Sequence, residues 1–214
     1  MAIEGLVRRA IAGLVNGSSS AVSIDPSGAL VVIDFYAKAV LDGYGYQVRA
    51  GTITTPIVGD VAITDTAAEY CVDVTTGGTM IPLSNQISIR AGTGTAQELA
   101  IKSVATASTA GTAFVPLPLK SDGVAASLTT ARAATAGGVT VTAELATTTL
   151  RHWEYAQQAV FTTGQVGFMT WEPLRPPRLV GVRCLYTQIA AGTTGPSYYA
   201  HMDYLEIPSA LIVT

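Results

Sequence analysis

Ionic side chains are scarce in this sequence. Lysine and arginine together number 12 and aspartate and glutamate 15, so charged residues make up 13% of the 214 positions. Soluble domains typically contain about 25%. A folded monomer of this length exposes roughly 9,000 Å², which leaves about one charged side chain per 350 Å². Because a solitary protein normally carries a denser charged surface, the composition predicts that other subunits cover much of this one. A monomer whose surface is threonine, serine and glycine is the alternative.

Cysteine and histidine are also rare, with two residues of each. Cys71 and Cys184 are too few for a disulfide-stapled scaffold, and they leave open one disulfide or two buried thiols. The net charge of −3 and the scattered basic residues argue against a sequence-specific nucleic-acid partner, which would require a basic stripe. No apolar run reaches the length of a membrane-spanning helix.

The first twenty residues predict a short amphipathic helix on a flexible joint. Apolar residues recur at helical spacing between positions 3 and 15, and the charged residues fall elsewhere on the helix. Asn16-Gly17 ends this pattern, and the apolar run is too short for a secretory signal. We expect residues 1–20 to form an arm that contacts its own domain or a neighbouring subunit through residues such as Leu6 and Ile11. Contact with a membrane surface is the less favoured alternative.

Residues 21–214 predict an all-β domain. Short segments rich in β-branched and aromatic residues are separated by turn residues, without helical patterns between them. About ten such segments at this spacing indicate a β-sandwich or a barrel. Asp42-Gly43 is a typical hairpin turn, which predicts that ALVVIDFYAKAVL and YGYQVRA are the two strands that it joins. The other predicted strands are EYCVDVT, NQISIRA, QELAIKSV, GTAFVPLPL, GGVTVTAEL, LRHWEYAQQAVF, VGFMTWEPL, LVGVRCLYTQI and SYYAHMDYLEI.

Two pairs of residues offer the ligands of a divalent metal. His152 and Glu154 lie in HWE, and His201 and Asp203 lie in HMD. Residues two apart on a strand share a face, so each pair could present an imidazole and a carboxylate to one ion. If the two strands were neighbours in register, all four ligands would meet. The favoured interpretation is that both histidines line a sheet surface and hydrogen-bond locally, so that the chain holds no metal.

The segment SYYAHMDYLEI predicts a strand with two different faces. One face is apolar and is expected to join the core; its members are Tyr198, Ala200, Met202 and Tyr204. The other face carries Tyr199, His201, Asp203, Leu205 and Ile207. This mixture of aromatic, polar and apolar groups is typical of subunit contacts, where a tyrosine ring buries area while its hydroxyl finds a partner. We therefore predict that Tyr199, His201 and Asp203 lie at a subunit interface.

The features that carry a family resemblance are the short strands, the sparse charge, the Thr/Ala/Gly-rich connections, the N-terminal arm and the closing segment CLYTQIAAGTTGPSYYAHMDYLEIPSALIVT. In these the chain resembles the single jelly-roll capsid proteins of tail-less, membrane-containing icosahedral phages. The resemblance implies a jelly-roll sandwich and a virion protein that assembles with copies of itself and with a second capsid protein. It also implies that the arm lies against a neighbour or an internal membrane. The chain lacks the basic arm by which many RNA-virus capsid proteins bind their genome.

The sequence contains no catalytic motif that names a reaction, so we expect neither an enzyme nor a cofactor. Two alternatives are kept. One is another phage structural role, such as a decoration, tail or receptor-binding protein. The other is a metal-dependent β-barrel enzyme that uses His152, Glu154, His201 and Asp203.

Overall fold

The computed structural model describes residues 35–52, 54–91, 94–122, 127–134, 138–158, 160, 167–192 and 195–212. The predicted arm at 1–20, with Leu6 and Ile11, lies outside the described residues and stays a prediction. Helix α1 spans Phe35–Leu41, and short 3₁₀ helices span Glu144–Ala146 and Ser209–Leu211. The strands in chain order are β1 (Gly45–Ala50), β2 (Ile57–Val58), β3 (Ala67–Ala68), β4 (Tyr70–Val74), β5 (Gly78–Ala91), β6 (Gln97–Val104), β7 (Thr109–Ala110), β8 (Thr112–Phe114), β9 (Leu117–Pro118), β10 (Thr129–Ala133), β11 (Val139–Thr140), β12 (Arg151–Gln158), β13 (Gly167–Trp171), β14 (Leu179–Val180), β15 (Arg183–Ala191) and β16 (Ser197–Pro208).

The described strands form three antiparallel sheets, and the predicted all-β class is confirmed. The larger sheet has seven strands, with β13, β5, β16, β1 and β9 in that order, β14 beside β5 and β2 beside β16. The second sheet has six strands in the order β12-β6-β15-β4-β10-β8. A small sheet has the order β3-β11-β7. The main core lies between the two large sheets and takes buried side chains from both.

Strand β4 shows how the sequence divides its side chains between two layers. Alternate residues of a strand point to opposite faces of the sheet. Tyr70, Val72 and Val74 belong to the main core. Cys71 belongs to a second buried cluster, on the outer face of the six-stranded sheet, together with Val139 of the small sheet. All five residues of β4 are buried, because the small sheet covers the face that would otherwise meet water.

The two-faced character predicted for the last long strand is confirmed as far as Tyr204. Strand β16 lies in the middle of the seven-stranded sheet and pairs with β5 and β1. Its predicted core face is buried; the members are Tyr198, Ala200, Met202 and Tyr204. Tyr199, His201 and Asp203 are half-buried on the outer face. Leu205, which was predicted for this face, is fully buried; it follows a register shift between Asp203 and Tyr204.

The hairpin predicted at Asp42-Gly43 is wrong. Phe35–Leu41, the part of ALVVIDFYAKAVL that the structure describes, is a helix and not a strand. Gly43 has a φ of +87°, and its N–H donates to the Val40 carbonyl over 3.0 Å. The N–H of Tyr44 donates to the Ala39 carbonyl over 2.9 Å. These two bonds end a helix, and a glycine at positive φ serves this purpose as well as it serves a hairpin. Among the described residues, no helix has the length and apolar character needed to cross a bilayer.

A polar connection crosses the main core between the large sheets. Tyr70 and Thr187 lie opposite each other on β4 and β15 of the six-stranded sheet. Tyr70 donates its hydroxyl hydrogen to Oδ1 of Asn85, on β5 of the other sheet. The Nδ2 of Asn85 donates to Thr187 Oγ1 over 2.9 Å. All three side chains are fully buried, so each needs the partners that it has.

Candidate functional site

The first predicted ligand pair, His152 and Glu154, does not share a sheet face. Strand β12 is an edge strand, and its pairing with β6 shifts register between these two residues. His152 lies opposite Lys102, whereas Glu154 lies opposite Ile101. Because consecutive residues of β6 face opposite sides, the bulge breaks the spacing rule on which the predicted pair depended.

The second pair, His201 and Asp203, shares the outer face of the seven-stranded sheet. His201 lies between Arg49 of β1 and Gln86 of β5. Asp203 accepts a hydrogen bond of 2.8 Å from Gln47 Nε2 and a long one of 3.4 Å from Ser84 Oγ. The carboxylate is thus held by neutral donors within a polar sheet surface.

The two pairs are not brought together, because β12 and β16 belong to different sheets. Among the described residues, one group of at least three His, Cys, Asp or Glu side chains has its ligand atoms within 4.8 Å of one another. Its members are Cys71, Asp73 and Cys184, and we call it the cysteine–aspartate cluster. All three residues are buried. From the sequence, these cysteines predicted only a disulfide or two buried thiols.

Strand register builds this cluster. Cys71 and Asp73 are two residues apart on β4 and therefore share a face. Cys184 of β15 lies directly opposite Asp73, which puts it diagonally next to Cys71. Arg132 of β10 lies opposite Cys71 on the other side of β4. Ser108, in the connection between β6 and β7, approaches from the layer that covers the sheet.

A chain of hydrogen bonds joins the cluster to the segment 108–110, which packs over it. The Cys71 thiol donates to Ser108 Oγ over 3.0 Å. Ser108 in turn donates to both oxygens of Asp73, from its hydroxyl over 2.6 Å and from its N–H over 2.9 Å. Arg132 Nε lies 3.8 Å from Asp73 Oδ2, and its Nη1 donates to the Ala110 carbonyl over 3.2 Å. The carboxylate therefore ties the six-stranded sheet to the segment 108–110.

The electrostatic environment keeps Cys184 protonated at neutral pH. Burial raises the pKa of the Cys184 thiol well above its ordinary value. Its contact with Cys71 and the negative charge of Asp73 raise the pKa in the same direction. A thiol with a raised pKa and no exposure is a poor nucleophile, since the thiolate is the reactive form. Nucleophilic catalysis is therefore not supported at this position.

A second polar group lies under the same cover. The buried Lys102 forms an ion pair with Glu144 of the first 3₁₀ helix, whose side chain is about a quarter exposed. Tyr186, which lies opposite both Lys102 and Cys71, is buried beside them. Burial, followed by the negative charge of Glu144, raises the pKa of the Tyr186 hydroxyl. The ion pair attaches the segment before β12 to the sheet, as Asp73 attaches segment 108–110.

Sequence alone held one signal for the cluster, the spacing of Cys71 and Asp73 in EYCVDVT. The approach of Cys184 depends on the pairing of β4 with β15, and that of Ser108 depends on a loop. Neither can be read from local pattern.

Comparisons with family models, with curated proteins and with solved structures found no match to this chain.

Proposed function

We propose that the chain is a structural protein of a phage capsid, which assembles with copies of itself and a second capsid protein into an icosahedral virion shell. The sandwich in this proposal is a single jelly roll. The observation that carries it is the order of eight strands, taken first to eighth along the chain; they are β1, β4, β5, β6, β12, β13, β15 and β16.

These eight strands pair as a long hairpin folded upon itself would pair. The first pairs with the eighth, the second with the seventh, the third with the sixth and the fourth with the fifth. The sheets then read first-eighth-third-sixth and second-seventh-fourth-fifth. This arrangement is the one expected of a jelly roll, an architecture of viral capsid, lectin and cupin domains. The other short strands lie in the connections between the eight.

The fold alone does not distinguish these functions, so the choice among them depends on the residues at the surface. A cupin-type metal site would need its histidines together, and His152 and His201 stand on different sheets. An exposed apolar edge of the seven-stranded sheet supports the assembly function. We call it the apolar edge, and its residues are Val115, Leu117 and Leu119. Their exposed fractions are 77%, 50% and 40%.

The apolar edge lies along an outer strand of the seven-stranded sheet. Strand β9 pairs with β1 through Leu117 and Pro118, and the Leu119 N–H donates to the Gly45 carbonyl over 2.9 Å. Pro116 and Pro118 alternate with the three apolar residues. Because proline has no N–H to donate, the edge resists extension by another strand but still presents apolar side chains. Contact through side chains is what a packed subunit interface requires.

Light scattering after size-exclusion chromatography tests the proposal, with salt and pH varied and negative-stain images taken of each peak. The expected result is oligomers that grow with protein concentration into shells or curved sheets. Leu117→Asp is expected to prevent growth, whereas the control Leu174→Asp, at a side chain that is 97% exposed, is expected to leave it intact. A monomer under every condition would contradict the proposal. A closed trimer or hexamer would favour a decoration or tail role instead.

A further inference from the structure

We propose that the cysteine–aspartate cluster binds one zinc ion through Cys71, Asp73 and Cys184, with Ser108 Oγ in the fourth position. The proposal is independent of the capsid role, since it rests only on the chemistry and placement of these four side chains.

The ligand atoms already stand close to the separations that zinc requires. With Zn–S bonds of about 2.3 Å, two sulfurs of a tetrahedral site lie about 3.8 Å apart. The donor atoms of Cys71, Asp73 and Cys184 all lie within 4.8 Å of one another. Ser108 Oγ lies 3.0 Å from Cys71 Sγ and 2.6 Å from Asp73 Oδ2, so a fourth donor atom is present beside these two ligands. Separations within 4.8 Å exceed the tetrahedral sulfur–sulfur distance by at most about 1 Å.

The identity of the donors selects the metal. Two cysteine sulfurs exclude Mg²⁺ and Ca²⁺, which take oxygen ligands. The added carboxylate and hydroxyl oxygens suit Zn²⁺ better than Cu(I), which prefers sulfur throughout. A site built wholly from side chains and closed by the covering layer is a structural site, because it leaves no position for substrate.

Charge is balanced when zinc binds. Both thiols lose their protons to solvent, so Zn²⁺ and two thiolates together are neutral. The remaining negative charge of Asp73 is opposed by Arg132, whose Nε is 3.8 Å from Oδ2. Metal binding therefore places no net charge in the buried layer. Because two protons are released for each ion, affinity is expected to fall as the pH is lowered.

The ion would join three parts of the chain that are far apart in sequence. Cys71 and Asp73 belong to β4, Cys184 belongs to β15, and Ser108 belongs to the connection between β6 and β7. The hydrogen bonds of Ser108 to Asp73 already attach this connection to the sheet. Zinc would make the same attachment stronger, since a metal site contributes its binding energy to the folded state.

The test uses the full chain, expressed in medium with added zinc and purified with a thiol reductant and without chelator. Elemental analysis is expected to find one zinc ion per chain. Protein grown with cobalt in place of zinc is expected to show the near-ultraviolet absorption of thiolate-bound Co²⁺ and the visible bands of tetrahedral Co²⁺. Cys184→Ser is expected to lose about half of the thiolate absorption, and Asp73→Asn to retain at most a tenth of the wild-type metal affinity.

Val104→Ala is the matched control, because Val104 is buried beside Cys71 and Cys184 in the second buried hydrophobic cluster but has no ligand atom. It is expected to lower stability while keeping the full metal content, so metal loss in the ligand variants cannot be ascribed to weakened packing. Zinc-free wild-type protein without a thiolate–cobalt band would overturn the proposal. A non-reduced mass lower by two hydrogens would overturn it too, because Cys71 and Cys184 would then be joined as a disulfide.

Discussion

Tyr70 and Asn85 join the two large sheets through one buried hydrogen bond. The tyrosine stands on β4 and the asparagine on β5, and the hydroxyl of Tyr70 donates to Oδ1 of Asn85. Burial raises the pKa of Tyr70, and this keeps the hydroxyl protonated and able to donate. Such a contact between apolar layers favours one alignment of the sheets, since any other would leave the amide unsatisfied.

Tyr70→Phe is therefore expected to destabilise the protein by about 1–3 kcal/mol. The substitution removes one hydroxyl and leaves Asn85 Oδ1 buried without its donor. Urea unfolding followed by tryptophan fluorescence measures the change.

Tyr198→Phe is the matched control, because both tyrosines are fully buried in the same core. The Tyr198 hydroxyl has no hydrogen-bond partner within the part of the chain that the structure describes. Its removal is expected to be neutral or stabilising, since no partner is lost. Equal losses for both variants would show that the bond between Tyr70 and Asn85 contributes nothing specific.

The backbone packs so closely around Gly195 that we expect no side chain to be tolerated there. A Cβ at this residue would lie 1.5 Å from the Gly59 carbonyl oxygen, a separation that no rearrangement of a side chain relieves. Gly59 is itself fixed, because its N–H donates to the Pro196 carbonyl over 2.9 Å. Gly195→Ala is expected to cost about 3 kcal/mol or more, or to prevent folding.

Gly192→Ala makes the same chemical change with room to accept it. Its Cβ would meet Thr95 at 3.7 Å, which is ordinary contact. Soluble yield and urea midpoints of the two variants give the comparison. If Gly195→Ala folded with the stability of Gly192→Ala, the close approach of segments 59–60 and 195–196 would be wrong.

Glu69 predicts a pH dependence of stability. This side chain is 3% exposed, and burial raises its pKa well above the ordinary value of 4.5. The negative charge of Asp60 adds to this, while N–H donation from Ile189 over 2.8 Å opposes it without reversing it. The folded state therefore holds this proton to higher pH than the unfolded state does. The contribution of Glu69 protonation to the free energy of unfolding is complete below about pH 4.5 and is lost as the pH rises toward the folded-state pKa.

Glu69→Gln removes this titration. Relative to the variant, the wild type is expected to lose stability as the pH rises from 4, by up to about 1.4 kcal/mol per pH unit within that window. Urea unfolding at pH 4, 5, 6 and 7 measures the difference. Glu172→Gln, at an exposed position, controls for the loss of one negative charge. A wild-type minus Glu69→Gln difference that stays constant with pH would contradict the raised pKa.

Local pattern predicted two of the long strands, β6 and β16, well. QELAIKSV coincides with β6, and the division of β16 into two faces follows from alternation as far as Tyr204 but fails at Leu205, which is buried. For β5, the local pattern predicted only the C-terminal part, NQISIRA, whereas the strand begins at Gly78 and contains Pro82. The partner strand shifts register where Tyr204 meets Pro82, and this irregularity accommodates a residue that ordinarily argues against a central strand.

Features that depend on distant partners were not predictable in this way. Asp42-Gly43 suits a hairpin and a helix end equally, and the choice depends on α1 packing beside Gly45, where Val40 lies close. The two-residue strands between β6 and β12 exist only because other strands pair with them. The cysteine–aspartate cluster likewise needs the register of β4 with β15, which no local spacing encodes.

The predicted N-terminal arm leads to a last experiment, deletion of residues 1–20. All eight strands of the proposed jelly roll lie between Gly45 and Pro208, so the deletion leaves every pairing among them in place. The melting temperature is expected to stay unchanged, while oligomer growth or binding to anionic lipid vesicles is lost. In the full chain, Leu6→Glu with Ile11→Glu is expected to reproduce the loss, because both residues lie on the apolar side of the predicted helix. Arg8→Gln changes the polar side and is expected to retain growth. A large fall in melting temperature on deletion would mean that the helix belongs to the core and is not an arm.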